Sequence, residues 1–247
     1  MRRLAVGSIL GILVLAGAIS SATTINMTPV SDGLGTIGDT SQFAVQSGTI
    51  TIDGSGNANI VLQFNYPSAN LNTSFTDFGI VLKPTDLLFQ VGTDLYGIPI
   101  VTHSLAPDNS SGTYPTVTAG DLYQTTAFET AQTVLDNPSG VSYRNNAAVW
   151  LGGNPVLLSG PLTETISSKG ATSPEFTVTL TGNLSSAFVS DVDANGITAY
   201  FGSATCGNGY LEGSAPAAPP VPEPASLVLL GSGLLTMGGA ARRRFSK

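Results

Sequence analysis

Cysteine and histidine occur once each, as Cys206 and His103, in a chain of 247 residues. With one cysteine an intramolecular disulfide is impossible, and a zinc site, which draws three or four such ligands, lacks them. A serine or cysteine nucleophile needs a base beside it, usually histidine. His103 would have to be brought to Cys206 or a serine by the fold, and nothing local does so; its surroundings, just ahead of Pro107-Asp108-Asn109, read as a loop. No Gly-x-Ser-x-Gly elbow, His-Glu-x-x-His site or phosphate-binding glycine loop occurs. Charge is also scarce, at 10% of residues. Between residues 23 and 220 the only basic side chains are Lys83, Arg144 and Lys169, against fifteen acids. Nucleic-acid binding is excluded, because displacing counterions from phosphates takes basic groups. A polybasic lipid-binding surface is excluded likewise.

The remaining basic residues sit in the tails. Arg2 and Arg3 precede an apolar stretch, Leu4 to Ala18, and small residues follow, with Ser20 and Ala22 at the −3 and −1 positions of a cut before Thr23. This is the layout of a secretory signal peptide over 1–22, removed by signal peptidase; the alternative is an uncleaved membrane anchor. No cysteine lies near the cut to take a lipid. At the other end, residues 214–224 form a Pro/Ala-rich linker, stiff because proline fixes φ and removes donors. Ala225 to Ala241 is uncharged and apolar, and Arg242, Arg243 and Arg244 close it. An apolar run followed by arginines is a stop-transfer pattern. It predicts a C-terminal transmembrane helix within 225–247, with 17 apolar residues at the short end of the spanning range.

The C-terminal segment resembles the PEP-CTERM sorting signal of bacterial envelope proteins. Pro222, Glu223 and Pro224 stand where that signal carries its motif, the apolar helix follows, and Arg242, Arg243 and Arg244 stand where it carries its retention cluster. The resemblance implies recognition by an exosortase, a membrane transpeptidase-like enzyme. That enzyme would cut near the motif and leave the protein at the cell surface, in the outer envelope or outside the cell. It also implies an association with exopolysaccharide, extracellular matrix and biofilm. Parts of the middle resemble the outer domain that often precedes such a signal: Asp94 to Ile100, Gly120 to Tyr123, Tyr143-Arg144 with Val149-Trp150, and Gly202 to Asn208. Where those proteins continue Cys-Gly-Asn with Asp, this chain has Gly209, so no carboxylate-dependent role is read there. The resemblance implies a β-sandwich surface domain and no known activity.

The middle itself, residues 23–213, reads as one mainly β domain. Ile60, Leu62, Phe64 and Tyr66 alternate with more polar neighbours, the mark of a half-buried strand. Phe43 to Ile52 is a second such run, and Asp53 to Asn57 joins the two as a hairpin. Phe176, Val178 and Leu180 alternate with threonines; Ile197, Ala199 and Phe201 repeat the pattern after a turn at Asp193 to Gly196. Shorter strands are expected at 78–82, 87–91, 98–102 and 147–151. Turn-punctuated strands at this spacing predict an antiparallel β-sandwich or jelly roll. One short helix is expected over Gly120 to Leu135, where Ala127, Phe128, Ala131, Val134 and Leu135 have helical spacing, Asp121 is an N-cap and Pro138 a stop.

Candidate chemistry is thin. Cys206 is either a small buried residue closing the last strand or a reactive thiol that pairs with a partner. Asp191, Asp193, Asn195 and Gly196 match the first half of a calcium loop, but Gly202 stands where its bidentate acid belongs; the alternative is an Asn-Gly hairpin turn with exposed acids. Trp150, Tyr143, Tyr123, Tyr96 and Tyr114 are either a sugar-stacking platform or ordinary core and rim residues. Lys83 and Arg144 read as lone cations pairing with nearby acids. The expectation is a non-enzymatic, exported β domain with a structural or adhesive role and no cofactor. The alternatives are a carbohydrate-binding module for exopolysaccharide and a secreted glycan-processing enzyme, which needs two facing carboxylates.

Overall fold

A computed structural model of the chain describes residues 22–30, 40–68, 70–72, 75–77, 80–106, 114–135, 146–168, 175–206, 209–219 and 231–235. The chain divides into a unit of Ser20–Ala218 and a second of Met1–Ile19 with Pro219–Lys247. In the second, residues 231–235 are helical. Among the described residues no helix is long and apolar enough to cross a membrane; the rest of the expected signal and transmembrane helices lies outside them.

The first unit is mainly β and antiparallel. Its strands are β1 (Thr23–Pro29), β2 (Val45–Ile52), β3 (Asn57–Asn65), β4 (Phe75–Asp77), β5 (Ile80–Leu82), β6 (Asp86–Val91), β7 (Asp94–Pro99), β8 (His103–Ser104) and β9 (Thr116–Val117). They continue with β10 (Leu122–Thr125), β11 (Ala127–Thr130), β12 (Ala148–Gly152), β13 (Val156–Ser159), β14 (Thr163–Ser168), β15 (Glu175–Asn183), β16 (Ile197–Gly202) and β17 (Tyr210–Ala215). The helices are α1 (Thr40–Phe43), α2 (Ala131–Val134) and α3 (Ser186–Asn195). Eleven strands form one sheet in the order β13-β10-β7-β6-β16-β17-β1-β2-β3-β15-β14; β11-β12, β4-β5 and β8-β9 are separate ribbons.

A two-layer sandwich is expected from the strand pattern, but the two layers are halves of one continuous curled sheet. β1 joins them, pairing Thr23 to Met27 with β2 and Thr28 and Pro29 with β17. Two observations require the curl. Phe64 on β3 and Phe201 on β16 lie four strands apart, about 19 Å on a flat sheet, yet their ring centroids are 5.0 Å apart. Flat, the outermost strands β13 and β14 would be separated by about 48 Å. Residues 160–162 alone join them, and four Cα steps reach no further than about 14 Å. Leu162 marks the corner: its N–H bonds the Gly120 carbonyl and its side chain packs on Gly182.

Period-2 alternation builds the core inside the curl. Ile25, Ile50, Ile60, Leu62, Phe64, Phe176, Val178, Leu180, Ala199, Phe201 and Leu211 all face it, while Thr24, Asn26, Thr49, Asn59 and Thr181 on the same strands are exposed. This reverse side is polar, as expected where one face of an antiparallel sheet meets water. α3 lays Phe188, Val189 and Val192 into the same core; the Phe188 ring meets Tyr96 edge-on at 4.9 Å.

β6 carries buried leucines on both faces because it is covered on both. Leu87, Phe89 and Val91 point into the core, and Leu88 points out under β12, joining Leu105, Val117, Tyr123 and Leu151. Gly97 permits this layer: a Cβ there would lie 2.8 Å from a Leu151 methyl and 2.9 Å from a Leu88 methyl.

Three expectations about elements need correction. The segment predicted as a helix over Gly120 to Leu135 is helical only at α2; its first part is β10 and β11. The threonines explain this, since β-branched residues lose rotamer freedom in a helix and fit a pleated surface, and β10 and β11 find strands β7 and β12 to pair with. The turn expected at Asp193 to Gly196 is the end of α3. The strand expected over 98–102 is β7, set earlier by the two-residue turn between Val91 and Asp94. The last strand, β17, also runs to Ala215, into the expected linker, and the linker's Ala218 N–H bonds the Asp193 carbonyl at the end of α3.

Candidate functional site

The densest polar chemistry among the described residues gathers around the single histidine. Asp86 opens β6 with its side chain on the Leu88 side, under β12. One carboxylate oxygen, Oδ2, accepts the Leu151 N–H at 2.8 Å; the other, Oδ1, is 2.9 Å from His103 Nε2. His103 is not a loop residue as its sequence context predicts; it sits on β8, 7% exposed. Its Nδ1 lies 3.1 Å from the Ser104 carbonyl. Its ring stacks on Trp150 at 4.3 Å between centroids. The Trp150 N–H donates to the Pro84 carbonyl at 3.2 Å, and Lys83 Nζ lies 5.2 Å from the centre of the same ring, a cation–π arrangement.

Both ring nitrogens of His103 therefore face oxygen acceptors, which suits an imidazolium donating from both. Burial pulls its pKa down, but the charge and hydrogen bond of Asp86, with the Ser104 carbonyl, outweigh burial and the opposing Lys83 charge, and the net shift is upward. With both nitrogens engaged, the ring has none free to take a proton from a nucleophile. The arrangement works as a tie: it fixes β8 and β12 to β6 by a buried charged hydrogen bond and an aromatic stack.

The hydrogen-bond partners of His103 are Asp86 and the Ser104 carbonyl, not Cys206. Cys206 is buried against the core inside the curl, after β16 rather than on the last strand, β17. The segment leading to it is tied down: Ser203 donates to the Phe43 carbonyl at 2.7 Å, and the Thr205 N–H donates to the Lys83 carbonyl at 2.8 Å.

The calcium-loop candidates Asp191, Asp193 and Asn195 all lie on α3 and not in a loop. The Asp191 carboxylate is also taken: Tyr96 donates its hydroxyl at 2.8 Å and Asn195 its amide at 2.6 Å. Burial and then Asp191 push the Tyr96 phenol far above its usual value. Gly196 makes the bend at the C-terminus with φ of +74°, a helix C-cap in place of a metal-loop glycine. Among the described residues no group of three or more His, Cys, Asp or Glu is placed to hold a metal ion.

Among the described residues the aromatic candidates do not form one exposed platform. Trp150, Tyr96 and Tyr123 are buried, and Tyr114 alone of the described candidates is exposed. Tyr143 and Arg144 lie outside the described residues, as do Pro222, Glu223, Pro224, Arg242, Arg243 and Arg244.

Comparison with known proteins bears on that last group. A family profile described as the PEP-CTERM protein-sorting motif matches residues 220–244. No curated protein and no solved structure matches the chain. The match begins just past the first unit, whose last residue is Ala218, and it takes in the Pro-Glu-Pro triplet, the apolar run and all three arginines. The chain thus carries a PEP-CTERM protein-sorting motif, the mark of an exported protein handled by an exosortase.

Proposed function

We propose that this protein is a non-enzymatic surface or matrix component: a β domain with a structural or adhesive role, exported and then processed at its C-terminus. The observation that carries the reading is the sorting motif at 220–244, set directly beyond a folded unit that ends at Ala218. The buried chemistry supports the non-enzymatic part, since the one histidine is engaged at both nitrogens and its carboxylate partner is spent on β12. In this reading signal peptidase removes residues 1–22, the apolar C-terminal segment holds the precursor in the membrane, and the exosortase acts near Pro222, Glu223 and Pro224. The mature domain then stands at the cell surface or in the extracellular matrix.

The test is Glu223→Ala in the native host. Glu223 lies beyond the folded unit, so the variant keeps the melting temperature of the wild type. Intact-mass spectrometry is expected to find it retained with its C-terminal segment, while the wild type is shortened near the motif. Equal mature masses for the two would refute exosortase recognition at this residue.

A further inference from the structure

Two cavities flank the turn between β6 and β7, which gives Gly92 to one and Thr93 to the other. The first, of about 480 Å³, is lined by Gln90, Thr198 and Ser214, with Asn195 at the end of α3 and Pro216 at the start of the linker. The second, of about 340 Å³, is lined by Leu95, Thr125 and Asn154. Strand register joins them. Ser214 lies opposite Thr198, Thr198 opposite Gln90, Gln90 opposite Leu95 and Leu95 opposite Thr125. Period-2 alternation puts all five on the side of the sheet that carries Leu88 and Tyr123, away from the core. The row crosses five strands, about 19 Å from end to end.

The two long sides of the row differ. On one, Tyr200 and Glu212 are the next outward pair along β16 and β17. Tyr210 lies opposite Gly202, one outward step further on, and stacks on Tyr200 with ring centroids 6.3 Å apart; it backs Tyr200 from the side away from the row. Phe128 of the β11–β12 ribbon packs on the same outer cluster as Tyr200. On the other side, Asn195 gives its amide N–H groups to Asp191, which leaves its Oδ1 as an acceptor.

This lining selects a chemistry. Gln90, Thr198, Ser214 and Asn154 offer amide and hydroxyl groups, which both donate and accept; Leu95, Pro216 and Tyr200 offer apolar faces. No lysine or arginine lines either cavity, and residues 23–220 hold three basic side chains against fifteen acids, so an anionic ligand meets a repelling field. A peptide added as a strand needs free backbone groups, and each of the five strands crossed is already paired on both sides. An uncharged, hydroxyl-rich chain meets all of these conditions. We infer that the row is a binding groove for a neutral polysaccharide, whose hydroxyls pair with Gln90, Thr198, Ser214 and Asn154 while one sugar ring packs against Tyr200. The inference rests on the adhesive role proposed above and gives that role its ligand class. Tyr200 is not among the aromatic residues that the sequence singles out.

The test is electrophoresis of the full chain through native gels cast with hydroxyethylcellulose, galactomannan, xylan or dextran, with alginate as the anionic control. Retardation by at least one neutral polymer, and none by alginate, is expected. Gln90 and Ser214 are exposed, so the double variant Gln90→Ala/Ser214→Ala keeps the wild-type melting temperature. Loss of two hydrogen-bonding groups is expected to weaken its binding roughly tenfold. Asn59→Ala, on an exposed position of β3 beyond the row, is expected to bind as the wild type does. No retardation by any of the four neutral polymers, equal retardation by alginate, undiminished binding by the double variant, or an equal loss in Asn59→Ala would overturn the inference. The Glu223→Ala experiment reads mature mass and not glycan binding, so a negative result here leaves the export reading standing.

Discussion

Asp86 and His103 are seventeen positions apart, and Trp150 is further still; no local pattern links the three. Burial turns the set into a tie that is sensitive to pH. His103 binds its proton more tightly folded than unfolded, because Asp86 and the Ser104 carbonyl outweigh desolvation. The stability this supplies is fully present below the ordinary imidazole value of 6.5 and is lost as pH rises through the higher folded value. Chemical denaturation across that range is expected to show wild-type stability declining from pH 6.5 upward and then levelling. Asp86→Asn removes the decline and costs about 3 kcal/mol, since it strips a buried charge of its partner. A wild-type profile parallel to that of the variant would show that the pair does not titrate in this range. The sequence does give one residue-scale signal, a single buried-type aromatic flanked by valine and leucine at Val149-Trp150-Leu151. It marks a core position and says nothing of its partner.

At the scale of elements, legibility follows the period of the apolar residues. The hairpin of β2 and β3 is plain, because Ile50 and Ile52 answer Ile60 and Ala58 across a loop closed by Asp53, whose carboxylate accepts the N–H of Ser55 and of Asn57. β15 is equally plain from Phe176, Val178 and Leu180. β14 is not: Thr-Glu-Thr-Ile-Ser-Ser has one apolar residue, since an edge strand with little cover buries little. α3 is hidden for another reason. Asp191, Asp193 and Asn195 draw the eye to metal or turn chemistry, while the helical evidence is the Phe188, Val189 and Val192 spacing with Ser185 ahead and Gly196 behind. Ser185 is the N-cap, its hydroxyl accepting the Phe188 N–H at 3.3 Å. Ser185→Ala is therefore expected to lower stability by about 1 kcal/mol, and Ser185→Asp to restore most of it. An unchanged denaturation midpoint for Ser185→Ala would mean that packing of Phe188 alone holds the helix start.

The order of strands is a property of the whole molecule and is invisible in alternation, which reveals that a strand has two faces but not which strand lies beside it. β1, at the start of the folded unit, pairs with β17 at its end, and β6 pairs with β16 across more than a hundred residues. Nothing local encodes either pairing. What encodes them is the sum of the inward faces, which close on one another only when the sheet curls and its two outermost strands meet the short connection at 160–162. A sheet joined in this way has no seam along which one half can leave with its core intact. The chain supplies two natural reporters for this, both unique. Trp150 stacks on His103 outside the sheet, and Cys206 is buried in the core within the curl. If the unit unfolds as a whole, tryptophan fluorescence and thiol labelling change at the same denaturant concentration. Thiol labelling of the native protein is then slow, limited by global opening. Were fluorescence to change well before the thiol became reactive, the layer of β8 and β12 would be a separable cover on an intact curled sheet. The Asp86–His103 tie would then govern only that cover, and the pH dependence argued above would appear in the fluorescence transition while leaving thiol labelling unmoved.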